Sequence, residues 1–390
     1  MIEEASRLGV AETYYFAKKL AEIREMNSAS DTKVLNLGIG SPDLPPPASV
    51  TNVLAESASR PDAHGYQSYK GIPELNEAFA SWYKNHFDVS LAPEKEILPL
   101  IGSKEGVMHI SMSFLNEGDQ VLIPNPGYPA YAMCARLAGG NPLYFDLEEN
   151  LGWLPDLRKI EEAHDLSRVK IMWVNYPNMP TGGKATADFF SELIAFGQKH
   201  NILICHDNPY TFILNDDPIS LMQVPGAKST ALELTSLSKN YNMAGWRIGA
   251  VVADKPIIDT LLKFKSNMDS GMFKPMQQAA VKALSLGSEW FDYLNGEYSK
   301  RKEVAMRIME SLGCEPLRGG VGMFVWARIP EAMPSAEKMA DDILYQSRVF
   351  ITPGHIFGSN GARYLRISLC SDVAQLEQAL DRIHQQIEVS

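Results

Sequence analysis

The sequence predicts an α/β protein: a three-layer αβα large domain built on a mostly parallel sheet, joined to a smaller α+β domain. Three observations carry this expectation. At 390 residues the chain exceeds the roughly 250 to 300 at which one core stops growing, so two domains sharing an interface are expected. Through its middle, apolar β-rich runs alternate with helix-period segments, the pattern of repeated βαβ units. Those runs are almost continuously apolar, as strands covered on both faces by helices must be.

Taken in order, residues 1–45 hold a helical stretch and end in the Pro-rich "GIGSPDLPPP" at residues 38–47. That segment reads as a linker and sends the N-terminal helix to pack with the small domain. Residues 46–288 form the large domain. Within it "ILPLIGS" precedes "KEGVMHISMSFLN", "QVLIPNP" precedes "YPAYAMCARLAGG", and "RVKIMWVNYP" precedes "DFFSELIAFGQKHN", which runs into "ILICHDN". Residues 289–390 open with the long charged helix "EWFDYLNGEYSKRKEVAMRIMESLG" and continue through "GMFVWARI", a helix, "VFITPG", "RYLRISL" and a final helix. This second set is the α+β domain.

Composition excludes several functions. Acidic residues outnumber basic ones, 47 to 36, and no Lys/Arg run clusters, so neither nucleic acid nor an anionic membrane is an expected partner. The start "MIEEASRLGV" has no apolar core of a signal peptide, and no run approaches the roughly 20 apolar residues of a bilayer span. A cytoplasmic protein is expected. The four cysteines, Cys134, Cys205, Cys314 and Cys370, are scattered without a C-x-x-C pair. They read as core thiols, with neither a zinc site nor a disulfide framework.

Ligands of such sheets sit at the carboxyl ends of the strands. There stand Gly102-Ser103-Lys104, Asn125 to Tyr128, Tyr176 to Gly182, Asp207 to Tyr210, and Ser236 to Lys239. "LIGSKEG" puts a glycine and a hydroxyl at a helix mouth, where free N–H groups favour a phosphate; alone it is more often a plain N-cap. "SLSK" with Arg247 adds hydroxyls and a guanidinium suited to phosphate oxygens. Asp207 ends a buried strand, where a carboxylate needs a partner that repays its desolvation. Lys239 lies among small and apolar residues, where desolvation lowers an amine's pKa and frees it to condense with an aldehyde. One cofactor needs all three together: pyridoxal phosphate, whose ring nitrogen is held protonated by a carboxylate.

At this point the chain resembles the fold-type-I, class I/II aminotransferases. In family order it carries "NLGIGSPD", "YQSYKGIPEL", "GSKEG", "PNPGYPAY", "NYPNMPTGG", "HDNPY", "SLSKNYNMAGWRIG" and "YLRISL". The resemblance implies that Lys239 is the Schiff-base lysine, Asp207 the partner of the ring nitrogen, Tyr210 the donor to the ring's phenolic oxygen and Tyr128 the aromatic stacked on the ring. Ser103, Lys104, Ser236 and Arg247 become the phosphate cradle. Tyr66 falls where the family's tyrosine reaches the phosphate of the neighbouring subunit, so a homodimer is implied. Arg366 takes the place of the α-carboxylate clamp and Gly40 that of its backbone contact, while Arg363 reads as a surface charge. Tyr14 sits where related enzymes place a substrate-facing tyrosine, and a core aromatic is an equal reading.

One position departs from the pattern. Where the family reads Asn-Pro-Thr-Gly, this chain has Met179-Pro180-Thr181-Gly182, and methionine cannot donate a hydrogen bond to the phenolic oxygen. Either Asn178 supplies that bond through a local shift or Tyr210 acts alone. The implied activity is transfer of an amino group between an L-amino acid and a 2-oxo acid. A carbon–sulfur lyase would use the same residues, and a sensor that keeps the fold would need a DNA-binding module for which the sequence has no spare segment. The stretch "NMDSGMF" near Ser270 and Tyr14 lean toward the alanine and LL-diaminopimelate branch of the family.

Overall fold

The structure, a computed structural model, describes residues 2–10 and 15–389. Tyr14 therefore lies outside the described residues.

Seven strands form the large sheet: β1 (Ile97–Leu100), β2 (Gln120–Asn125), β3 (Asn141–Asp146), β4 (Val169–Asn175), β5 (Leu203–Asp207), β6 (Ala231–Ser236) and β7 (Gly249–Val252). Their spatial order is β1-β7-β6-β5-β4-β2-β3. All run parallel except β7, which is antiparallel to both its neighbours. Successive residues of β4 feed opposite faces, Met172 and Val174 into one apolar cluster and Ile171 and Trp173 into the other. A strand with two dry faces must be apolar at every position, which is why these segments read as unbroken runs.

A second, four-stranded antiparallel sheet has the order Thr352–Pro353, Tyr364–Ser368, Phe324–Arg328, Glu315–Pro316. The helices Ser288–Ser311 and Ala336–Ser347 pack on it, and Val373–Val389 packs on both of them. The N-terminal helix Tyr15–Ser28 lies along the helix Ala336–Ser347: Lys19 pairs with Asp341 at 2.8 Å, and Tyr345 donates to Glu22. The chain then adds a two-residue parallel strand, Leu35–Asn36, beside Val349–Phe350. The segment after it is pinned from the long helix, where Arg301 grips Asp43 through both terminal nitrogens at 2.6 and 2.9 Å. This fixes residues 38–43 between the two sheets, where Gly38 and Gly40 meet Arg366 and Lys239.

Arg363 is not the surface charge expected from sequence. Its guanidinium donates to the carbonyls of Pro330, at 2.7 Å, and Met333, at 2.5 Å. The same turn is closed by the Met333 N–H donating to the Pro330 carbonyl at 3.1 Å, and the guanidinium adds a second donor to that oxygen and one to the Met333 carbonyl.

Candidate active site

The carboxyl ends of β1, β2, β4, β5 and β6 open on one edge of the large sheet. Because β7 runs the other way, its amino end reaches the same edge and brings Arg247 there. The small-domain strand Tyr364–Ser368 closes the space with Arg366. Between them lies a cavity of about 600 Å3 lined by ten of the site residues marked from sequence: Gly40, Ser103, Lys104, Tyr128, Asp207, Tyr210, Ser236, Lys239, Arg247 and Arg366.

One end of the cavity is built for an anion. The 12-residue helix Ser103–Phe114 starts there, and its free backbone donors and positive dipole end face the space beside Lys104. Gly102 precedes it at φ +84°, and a Cβ at that position would stand 1.9 Å from an Arg247 terminal nitrogen. Only glycine admits both the backbone and the arginine. Ser236 caps the short turn after β6, its hydroxyl accepting from Ser238 N–H at 3.1 Å. Arg247, itself at φ +57°, donates to the carbonyl of Ala244 at 2.8 Å and the hydroxyl of Ser238 at 3.3 Å.

The opposite wall holds Asp207, only 5% exposed. Tyr131 donates to its Oδ2 at 2.8 Å, and Asn175, its register partner on β4, donates to its carbonyl at 2.6 Å. Oδ1 is buried with no hydrogen-bond partner among the described residues. Burial pushes the Asp207 carboxyl up to about 6, the Tyr131 bond and the neighbouring His206 opposing it. A dry carboxylate oxygen facing a cavity calls for a cationic N–H. Tyr131 is in turn fixed by parallel stacking on Trp173, centroids 4.7 Å apart, and Tyr128 meets it edge-on at 5.5 Å. Behind Asp207, on the far face of the sheet, His206 and Glu233 form a buried pair at 2.7 Å, 0% and 1% exposed. Tyr83, Ser220 and the Leu221 N–H also donate to Glu233.

Lys239 Nζ donates to the Gly40 carbonyl at 2.6 Å. Burial pushes its amine below the usual lysine range; Cys370 opposes this, and the Arg366 and Arg247 charges add to it. Tyr210 stands edge-on to Phe324, and burial holds its phenol far above the ordinary value. Arg366 is buried, with Nη2 on the Gly38 carbonyl at 2.7 Å and Nη1 on the Met179 sulfur at 3.3 Å. Phe324 and Phe357 flank the guanidinium, their centroids 4.1 and 4.6 Å away.

Two marked residues stand apart from this cavity. Asn178 has its amide engaged inside its own turn: Nδ2 donates to the Asn175 carbonyl at 3.2 Å, and Oδ1 accepts from Thr181 N–H and Oγ1. Its neighbour Met179 lines the cavity instead. Tyr66 is 92% exposed. Two polar lining residues escaped sequence reading, Asn175 and Tyr131. Asn175 closes β4 one residue before the stretch singled out, and Tyr131 lies one helical turn after Tyr128, a spacing that places both on one face.

A ring cofactor with a phosphate fits these residues: the orphaned Asp207 oxygen suits a protonated ring nitrogen, and the glycine-cleared helix mouth suits the phosphate. The cavity and the doubly covered sheet thus define a pyridoxal-phosphate enzyme. The profile of the aminotransferase class I and II family matches residues 32–383, and the chain belongs to that family. It is similar to the LL-diaminopimelate aminotransferases of Dehalococcoides mccartyi, 40% identical over 369 residues and 94% of each chain, and Aquifex aeolicus, 39% identical over 386 residues, 98% of this chain and 99% of that one. Among solved structures it is similar to substrate-bound BacF of Bacillus subtilis, 36% identical with a TM-score of 0.93, covering 99% of this chain and 98% of that one. An aspartate aminotransferase of Thermus thermophilus, 23% identical with a TM-score of 0.91 over 99% of this chain and all of that one, shares the fold. The protein is a pyridoxal-phosphate-dependent aminotransferase. Among the described residues no helix is long and apolar enough to cross a membrane, and all four cysteines are free and buried.

Proposed function

We propose that the cavity transfers an amino group between an L-amino acid and a 2-oxo acid with Lys239 as the covalent and proton-moving group. The observation that supports this most directly is the pairing of a desolvated lysine with a buried, half-satisfied carboxylate, Asp207, across one cavity. Bound there, pyridoxal phosphate supplies an aldehyde for the amino group and a ring that takes up the electron pair left when the Cα–H bond breaks. Arg366 grips the substrate α-carboxylate in a two-pronged pair, which turns Cα toward Lys239. The lysine amine takes the proton from Cα. Asp207 would keep the proton at the ring nitrogen, Tyr210 would donate to the phenolic oxygen, Ser103, Lys104, Ser236 and Arg247 would hold the phosphate, and Tyr128 would pack on the ring. Asn178, held in its own turn, supports that turn beneath Met179, and the phenolic oxygen is left to Tyr210.

The working unit is a homodimer in the cytoplasm. Tyr66, which falls in sequence where the family's tyrosine reaches a neighbouring subunit's phosphate and is exposed in the single chain, supports the first statement. The reduced, buried thiols and acidic surface are compatible with the second. Light scattering that returns a monomer with full activity would contradict the dimer.

Amino transfer is tested by following a 2-oxo acid acceptor converted to its amino acid. Pyruvate and ammonia formed with no acceptor present would mark a carbon–sulfur lyase instead. Two substitutions check the parts. Arg366→Lys exchanges a fork for a point charge, so kcat/KM should fall at least about tenfold for donor and acceptor alike; a loss confined to one of them would place Arg366 elsewhere. Gly102→Ala forces an L residue into the left-handed region and drives a methyl into Arg247. Cofactor affinity, read by equilibrium dialysis, should fall on the order of tenfold or more, equivalent to about 1.4 kcal/mol.

A further inference from the structure

The substrate class follows from the part of the cavity that the cofactor and the α-carboxylate leave open, and it rests on the reading just given. Five charged side chains line the cavity: Lys104, Asp207, Lys239, Arg247 and Arg366. Each already has a task at the phosphate, the ring, the reacting carbon or the α-carboxylate. What remains on the side away from the anion-binding end is apolar. Phe16 and Leu20 stand one turn apart on the N-terminal helix, so both face inward, while Lys19 and Glu22 on other faces turn to Asp341 and Tyr345. Ile39 and Phe357 complete the wall, with Met179 beneath.

We propose that this aminotransferase acts on amino acids with large uncharged side chains, aliphatic or aromatic, which lie against the wall formed by Phe16, Leu20, Ile39 and Phe357. Burial of an apolar side chain there removes both surfaces from water. Among the described residues no opposite charge faces this wall, so a second carboxylate or ammonium would be desolvated against it without a partner. The diaminopimelate named for the curated relatives carries both at its far end.

The principal alternative lies just outside. A groove of about 460 Å3 on the other side of Tyr128 and Phe357 is lined by Lys18, Arg136 and His355. A long acidic side chain that passed Phe357 would reach these cations. Lys18 and Arg136 are already solvated at the surface, which weakens what they offer.

The test uses the holoenzyme and measures single-turnover half-reactions with L-phenylalanine, L-leucine, L-methionine, L-glutamate, L-aspartate and LL-diaminopimelate. The best uncharged substrate should exceed every charged one in kcat/KM by at least about 100-fold. Binding is read separately by calorimetry: 3-phenylpropanoate, an unreactive mimic, should bind at least about tenfold tighter than glutarate. Leu20→Arg should shift the ratio of glutamate to phenylalanine kcat/KM upward by tenfold or more, since it places a cation in the wall. A preference for LL-diaminopimelate overturns the proposal while leaving the aminotransferase intact. A preference for glutamate or aspartate overturns it equally and moves the side chain to the basic groove. Failure of every amino acid to react overturns the aminotransferase reading and this inference with it.

Discussion

Lys239→Ala leaves a protein that folds but does not turn over. The side chain makes one hydrogen bond, to the Gly40 carbonyl, so its removal costs the fold little. Chemistry loses both an attacking amine and the base that moves the Cα proton, and neither Ser238 nor Tyr210 has the basicity to replace it. The expected loss in kcat is at least about 10^4-fold. Near-ultraviolet and visible spectra of the protein with pyridoxal phosphate should also lose the band that depends on a covalently held cofactor. Addition of a small primary amine should recover part of the proton-transfer rate, since a free amine of similar basicity fits the vacated volume. A variant with normal turnover would remove Lys239 from the mechanism.

Asp207→Asn separates catalysis from stability in opposite directions. Burial raises its carboxyl from 3.8 to about 6 in the cofactor-free site, and a protonated ring nitrogen bound at Oδ1 would hold it ionised to lower pH. The asparagine variant should lose about 10^2- to 10^3-fold in kcat/KM, the scale of a buried ion pair with one partner removed. For the cofactor-free fold the sign reverses. A folded pKa above the unfolded one means that the unfolded chain ionises more readily, so this group stabilises the fold relatively more at acid pH and opposes it at neutral pH. Asp207→Asn should therefore stabilise the cofactor-free protein at pH 7 by about 1–2 kcal/mol and leave it nearly unchanged at pH 4. Chemical denaturation at the two pH values reads the difference; destabilisation at pH 7 would show that Oδ1 meets a cation already.

The architecture was legible because both signals behind it are local. Doubly buried strands must be apolar throughout, and the residues at their ends are then the ones that meet a ligand. Lys239, Asp207, Arg247 and Ser103 each have an ordinary reading when taken singly, and they become legible because the strand-end rule sets them side by side as the parts one cofactor needs. What sequence hid is contact between segments. Tyr131 reads as one more helix aromatic until Asp207, from another strand, appears at its hydroxyl. Arg363 reads as a strand-edge charge until the 330–334 turn folds beneath it. At Met179 the sequence showed which atom was missing, but only the turn's hydrogen bonds showed that Asn178 is already committed elsewhere.

The reversed direction of β7 has a consequence for how long the enzyme keeps its cofactor. Ser236 and Gly249 lie opposite each other on β6 and β7, and Leu237 N–H bonds the Ile248 carbonyl just beyond them. Residues 237–248 are thereby a loop tied shut at its neck, with Lys239 and Arg247 both inside it. The separation between the covalent anchor and a phosphate anchor is set within twelve residues and owes nothing to the small domain. In the proposed reading substrate is held differently, by Arg366 on the other sheet. Movement of one sheet against the other would loosen the substrate's grip alone, so product would leave while the phosphate anchor at Arg247 holds and Lys239, released in each cycle to move the proton, stays at a fixed distance from it.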